Sequence, residues 1–197
     1  MEGREAIGEI MRQSQVTYWC HEIIKSQAPK GGFYIDATMG KGYDTLMLCR
    51  LADKSGRVLA FDIQEKALLL TDRLLTEHNV RSRAELILDG HQHMNQYAGT
   101  ESADVICFNF GYLPGGDHKI ATSPASSIEA IRQGLDILKQ GGMMSLCVYS
   151  GGDTGFEEKD AVLGVLKKLP PQEYTVIVNE YYNRQNCPPV PVFIFKK

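Results

Sequence analysis

The sequence predicts a doubly wound α/β fold, a mainly parallel sheet of seven strands whose last strand runs antiparallel. Two observations carry that prediction. From Gly32 onward, short β-rich runs alternate with longer stretches of helical periodicity, the pattern of a sheet with helices on both faces. The connection from Asn183 to Pro191, between the final two strands, is too short for the crossover helix that a parallel pair needs.

Phe33 to Ala37 reads as the first strand and Tyr43 to Ala52 as the helix after it. Lys54-Ser55-Gly56 turns the chain into a second strand, Arg57 to Asp62, followed by a helix from Gln64 to Glu77. Ala84 to Leu88 forms a third strand, Gln92 to Tyr97 a short helix, and Asp104 to Asn109 a fourth strand apolar enough to be central. Ser123 caps a helix with Pro124 at its first position, which runs to Lys139 and is closed by Gly141-Gly142 before the strand Met143 to Tyr149. Phe156 to Leu169 is helical, Pro170-Pro171 breaks the chain, and Tyr174 to Tyr182 and Val192 to Phe195 are the last strands. Ahead of the sheet, Glu5 to Gln27 is an amphipathic helical stretch with an apolar face of Ile7, Ile10, Met11, Val16, Trp19, Ile23 and Ile24. Such a face covers one side of a sheet or pairs two subunits into a homodimer; Arg4, Arg12 and Lys25 offer substrate contact as the alternative.

No shift of composition divides the 197 residues, so one domain over 1–197 is expected, with 1–28 as a helical extension packed on it. An apolar fraction of 43% and a charged fraction of 23% fit a globular protein with a sizeable core. The net charge of -3 gives no general attraction to nucleic acid, so an RNA or DNA partner would have to meet a local basic patch. Five widely spaced cysteines suit neither a disulfide framework nor a CxxC metal site and read as reduced, mostly buried thiols. His91 and His93 lack matching ligands, so no metal is expected. Met1 to Glu9 lacks a signal-peptide pattern and no apolar run approaches the ~18 residues of a membrane span, which predicts a cytoplasmic protein without a membrane partner.

The chemistry gathers at strand ends. The first strand runs into Asp36-Ala37-Thr38-Met39-Gly40-Lys41-Gly42-Tyr43-Asp44-Thr45, a glycine turn from strand to helix. Gly40 and Gly42 allow a cofactor to lie against the backbone, with Asp36, Thr38, Met39, Asp44 and Thr45 around it; a plain tight turn is the competing explanation. Asp62 ends the second strand, where its carboxylate can accept both hydroxyls of a ribose, with Gln64 beside it, or else caps the next helix. Asp89-Gly90-His91 closes the third strand as a receptor for an adenine amine or as a simple Asp-Gly turn. Asn109-Phe110-Gly111-Tyr112 closes the fourth, beside the point where strand order reverses and ligands of such sheets bind.

Charge separates the candidate cofactors. A dinucleotide brings a pyrophosphate, which needs a GxGxxG turn and a helix N-terminus free of acids. Here the third glycine position is Thr45, preceded by Asp44. A carboxylate there repels pyrophosphate and, with Asp36, suits the sulfonium and ammonium of S-adenosylmethionine (SAM). A nicotinamide-dependent oxidoreductase and a nucleic-acid-binding protein that holds SAM without turnover are the competing classes.

The Asn109-Phe110-Gly111-Tyr112 segment resembles the Asn/Asp-Pro-Pro-Tyr/Phe motif of class I methyltransferases that act on amino nitrogens, although Phe110 and Gly111 replace its prolines. In such a loop the Asn109 oxygen accepts a hydrogen bond from the amine and aims its lone pair at the methyl carbon, or Asn109 is a turn residue only. Tyr112 could stack on a base or face developing positive charge. From about Gln15 to the carboxyl terminus the chain resembles the bacterial YtqB/MnmM family, also described as rRNA methylases. The likeness rests on Asp36 to Thr45, Asp89-Gly90-His91, Asn109 to Asp117, Tyr149 to Asp153 and Asn183 to Pro189. It implies a Rossmann-like class I methyltransferase fold, SAM as methyl donor, and methylation of the aminomethyl group of wobble 5-aminomethyl-2-thiouridine in a tRNA anticodon stem-loop; rRNA or another amine is the alternative substrate.

The remaining candidates fall on loops. Asp117 and His118 could take the amine proton, or Asp117 orders the loop that carries Leu113, Pro114 and Gly116. Phe110, Gly111, Leu113, Pro114, Gly116, His118 and Tyr149 are the candidates for substrate contact near the methyl. Asn183, Arg184 and Asn186, in the late loop, read a base edge or phosphate or merely stabilise a tight connection. Arg81, Arg83, Lys196 and Lys197 add to phosphate binding or mark a solvated face.

Overall fold

The computed structural model describes residues 15–110, 123–149, 155–185 and 187–197. Its centre is a seven-stranded sheet of order β3-β2-β1-β4-β5-β7-β6. In chain order the elements are α1 (Val16–Gln27), β1 (Phe33–Asp36), α2 (Tyr43–Ala52), β2 (Arg57–Asp62) and α3 (Glu65–Glu77). Then come β3 (Ala84–Leu88), β4 (Ala103–Phe110), α4 (Pro124–Ile137), β5 (Leu138–Val148), α5 (Gly155–Leu166), β6 (Tyr174–Val178) and β7 (Val190–Lys196). Two 3₁₀ turns, Arg81–Arg83 and His91–Gln96, flank β3.

Strands β1 to β5 pair in parallel, and β7 lies antiparallel between β5 and β6. Strand order reverses at β1, which pairs with β2 on one side and β4 on the other, opening a crevice at the carboxyl ends of β1 and β4. The period of two along β4 sorts its side chains. Val105 and Cys107 join the cluster beneath α1 and α2, while Ile106, Phe108 and Phe110 join the cluster beneath α4 and α5. Both faces are therefore covered, as the near-continuous apolar strands require.

The amino-terminal stretch covers a sheet face: α1 packs on α2, β5 and β7, with Val16, Cys20 and Ile24 buried at helical spacing. Trp19, expected on the apolar face, is instead exposed, because the buried stripe runs one position along. Residues before Gln15, including Arg4 and Arg12, lie outside the described ones.

Several boundaries differ from the sequence reading. Helix α4 starts as expected, with Ser123 and Ser126 in a reciprocal capping box and Pro124 in the first turn. It stops at Ile137 and not at Lys139, because Leu138 is already extended and pairs with Ala103. Gly141, at φ +76, therefore lies inside a bulged β5 and does not close the helix. Helix α5 ends at Leu166, short of Leu169, and β6 ends at Val178 and not at Tyr182.

Candidate active site

Backbone bonds set the turn after β1. The Ala37 amide donates to the Cys107 carbonyl of β4 at 2.9 Å, and the Met39 amide to the Phe61 carbonyl of β2 at 2.8 Å, so the turn straddles both neighbouring strand ends. Gly40 and Gly42 have φ of +52 and +83, the left-handed region that glycine enters without strain. A Cβ on Gly42 would also meet Thr71 of α3, 2.8 Å from Oγ1 and 3.0 Å from Cα. Gly42 is thus where α2 and α3 approach each other, a reason for glycine additional to the room it would leave a ligand.

Acidic side chains ring this turn. Asp36 is fully buried; its Oδ1 accepts from the Thr38 amide at 3.2 Å and its Oδ2 from the Thr45 hydroxyl at 2.6 Å. Burial, reinforced by the nearby Asp44 and Asp62 carboxylates, pushes its carboxyl up to about 7. Asp62 accepts from the Gly40 amide at 3.0 Å and from the Gln64 amide at 2.9 Å, so it both ties the turn down and starts α3. Burial raises Asp62 as well, against those amide bonds.

At the end of β3, Asp89 accepts from the Gly90 amide at 2.7 Å and from the Tyr97 hydroxyl at 2.9 Å, and lies 2.8 Å from His93 Nδ1. The His93 bond is the main reason its carboxyl is held low. His91 is buried edge-on to Phe108 and Phe110 and hydrogen-bonds the Ala37 backbone. Burial pushes its imidazole down to about 4, so it is neutral at physiological pH.

Across the crevice, Asn109 is held twice. Its amide nitrogen donates to Thr38 Oγ1 at 2.7 Å, and its side-chain Nδ2 donates to Asp44 Oδ2 at 2.7 Å. The other Asp44 oxygen lies 2.6 Å from Nε2 of His21 on α1. At the end of β5, Tyr149 is exposed and hydrogen-bonds the Cys147 thiol, which in turn bonds the Cys20 thiol of α1.

The structure thus brings Asp36, Thr38, Asp44, Thr45 and Asn109 into one hydrogen-bonded cluster, with the Gly40–Asp62 pair, Met39 and Gly42 in the same turn. Asp89, Gly90 and His91 lie one strand end away, beyond β2. Phe110 is corrected: its ring is fully buried and stacked on Phe108 with centroids 5.0 Å apart, so it is core and offers no face to a substrate. Lys25 is also set aside, since it pairs with Glu22 on the exposed side of α1 at 2.8 Å. Arg184 lies over the Tyr181 ring, 3.9 Å from its centroid, with Asn183 beside it. Gly111, Tyr112, Leu113, Pro114, Gly116, Asp117, His118 and Asn186 lie outside the described residues.

Sequence reasoning missed His21, His93 and Tyr97. His93 and Tyr97 follow Asp89 by four and eight residues within one irregular turn, a spacing with no recognised signature. His21 is joined to Asp44 only by tertiary packing, and its one local sign is a polar residue next to the buried Cys20.

The rRNA methylase family model matches residues 58–195. The chain belongs to that family. Among its relatives is the tRNA (mnm(5)s(2)U34)-methyltransferase, chloroplastic, of Arabidopsis thaliana, 32% identical over 201 residues that span 97% of this chain and 73% of that protein. The crystal structure of SMU.1697c from Streptococcus mutans in complex with SAH superposes with a TM-score of 0.84 at 39% identity, covering 93% of this chain and 99% of that one. An rRNA methylase from Streptococcus thermophilus gives 0.77 at 31% identity, over 93% of this chain and 97% of that one. Among the described residues no helix is long and apolar enough to cross a membrane.

Proposed function

We propose that this member of the rRNA methylase family is a SAM-dependent N-methyltransferase that converts the aminomethyl group of 5-aminomethyl-2-thiouridine at the tRNA wobble position to methylaminomethyl. The chain is a SAM-dependent methyltransferase. The donor set fits that cofactor. Among the described residues, the groups that most affect the buried Asp36 are the Asp44 carboxylate, the Thr45 hydroxyl, the Thr38 amide and the Asp62 carboxylate, none of them a cation. A cationic ligand relieves that accumulation, whereas a pyrophosphate would add to it.

When bound, SAM supplies an electrophilic methyl group on a positively charged sulfur. Asp36 and Asp44 provide the negative field for its charges, and Asp62 and Asp89 stand at the ends of β2 and β3 for the ribose and adenine. Asn109 lies near the carboxyl end of β4, where it would face the methyl of a bound cofactor. Its Nδ2 is committed to Asp44, which leaves Oδ1, on the opposite side of the planar amide, to accept a hydrogen bond from the substrate amine and align its lone pair. That orientation of Asn109 is the single observation that carries the assignment to an amine substrate. The target amine must shed one proton to solvent before attack, and burial beside a cation favours that loss.

Tyr149 at the end of β5 and Arg184 stacked on Tyr181 are suited to an unstacked nucleotide and its phosphate. The Arabidopsis relative carries tRNA in its name and the Streptococcus thermophilus relative rRNA, so the two are tested side by side. The protein is given labelled SAM with tRNA lacking the terminal methyl and, separately, with ribosomal RNA from cells without the gene, and nucleosides are identified by mass spectrometry. Methylaminomethyl-2-thiouridine from the tRNA alone is the expected product. Label entering only ribosomal RNA refutes the proposal.

A further inference from the structure

His21 stands apart from the strand ends that make the rest of the site, yet its Nε2 reaches Asp44 Oδ1 at 2.6 Å while Asp44 Oδ2 accepts a hydrogen bond from Asn109 Nδ2 at 2.7 Å. The His21 and Asp44 side chains are only 19% and 16% exposed, so water competes little for either bond. We infer that His21 is a positioning residue for methyl transfer, acting through Asp44 to fix the Asn109 amide. This rests on the reading of the protein as an N-methyltransferase that uses Asn109.

The chemistry of the chain His21–Asp44–Asn109 is directional. An ionised carboxylate only accepts, so Asp44 demands the NH₂ end of Asn109 and turns the amide oxygen the other way. A carboxylate held at one oxygen can still rotate; one held at both cannot, and His21 is the second hold. The Asn109 backbone is anchored separately, by its bond to Thr38 Oγ1 at 2.7 Å. Removing His21 therefore frees the Asn109 side chain without releasing the strand end. The imidazole is itself placed by packing, because its neighbour Cys20 is buried with Val16 and Ile24 where α1 lies on β5 and β7.

The test is steady-state transfer from labelled SAM to tRNA carrying 5-aminomethyl-2-thiouridine, with His21→Ala, His21→Leu and His21→Gln each made in the natural and the Asn109→Ala background. His21→Ala is expected to lower kcat about tenfold, the worth of one charge-assisted hydrogen bond, with KM for tRNA and the Kd for SAH changed less than about twofold. The Gln amide nitrogen can take the place of Nε2, so His21→Gln recovers most of the rate. In the Asn109→Ala background, His21→Ala costs less than about twofold more, because the group it positions is gone. Thermal melts verify folding, and His21→Leu makes the same comparison should His21→Ala not fold. An unchanged kcat, or an equal loss in both backgrounds, overturns the positioning role alone. SAH binding with no transfer to tRNA by the natural chain overturns the functional reading and this inference together.

Discussion

Asn109 and Asp44 are 65 residues apart in the chain and 2.7 Å apart in space, an amide donating to a carboxylate across the crevice between β4 and the start of α2. That bond joins the loop assigned to the methyl donor to the strand end assigned to the acceptor. It also decides which end of the Asn109 amide is left for a substrate.

Replacing Asn109 by Ala removes the acceptor that orients the amine. A fall in kcat of about 100-fold is expected, the usual cost of losing one preorganised polar contact at the reacting centre. SAH affinity should stay within a few-fold in calorimetry, since Asp36, Asp62 and Asp89 are untouched. Asn109→Asp should fare no better, because it sets a second carboxylate against Asp44.

Asp36 makes stability depend on pH in a defined direction. Its folded-state carboxyl lies at about 7 against an ordinary value of 3.8, so between those values the folded protein binds the proton and the unfolded chain loses it. The destabilisation is absent below pH 3.8, grows as pH rises toward 7 and is complete above that. Asp36→Asn removes it. The variant should therefore gain on the natural protein as pH rises from 4 to 8 in ligand-free urea melts, by up to about 4 kcal/mol. Taking the difference cancels His91, whose lowered value of about 4 makes its own contribution run the opposite way, with stability lost as pH falls.

The same group links proton release to SAM binding. A cation beside Asp36 favours its ionised form, so the affinity for SAM should climb with pH up to about 7 and then level off, by at most about tenfold per pH unit. Calorimetry in buffers of different ionisation enthalpy should show a proton leaving below that pH. Asp36→Asn should abolish both effects, and SAH, lacking the sulfonium, should show a shallower slope.

Gly42→Ala should destabilise the fold by about 2 kcal/mol, which for a chain of this size lowers Tm by roughly 4–8 °C. Two costs combine: a left-handed φ of +83, and a new methyl 2.8 Å from Thr71 Oγ1. Thr71→Ala should restore only part of the loss in differential scanning calorimetry, because the Thr71 Cα itself lies 3.0 Å from that position.

What was legible in the sequence was what repeats locally. Alternating strands and helices gave the sheet, and a short last connection gave its antiparallel member. Carboxylates and an amide closing successive strands marked the rim where the bonded cluster around Asn109 lies. What was not legible depends on the third dimension. Phe110 reads as part of a loop motif, yet the alternation of β4 turns its ring into the core with Phe108. Leu138 looks helical until Ala103 offers it a partner. The need for glycine at position 42 comes from Thr71, on another helix. His21 carries no local signature, because its role is defined by Asp44, 23 positions on.

The seat of α1 has a bearing on biosynthesis. That helix is made before the strands β5 and β7 that form part of its floor. Until β5 and β7 pair, the helix that carries His21 lacks part of the floor from which it reaches Asp44. A product cut short before β7 would still own the strand ends that frame the crevice and yet lack part of the support that sets the Asn109 amide.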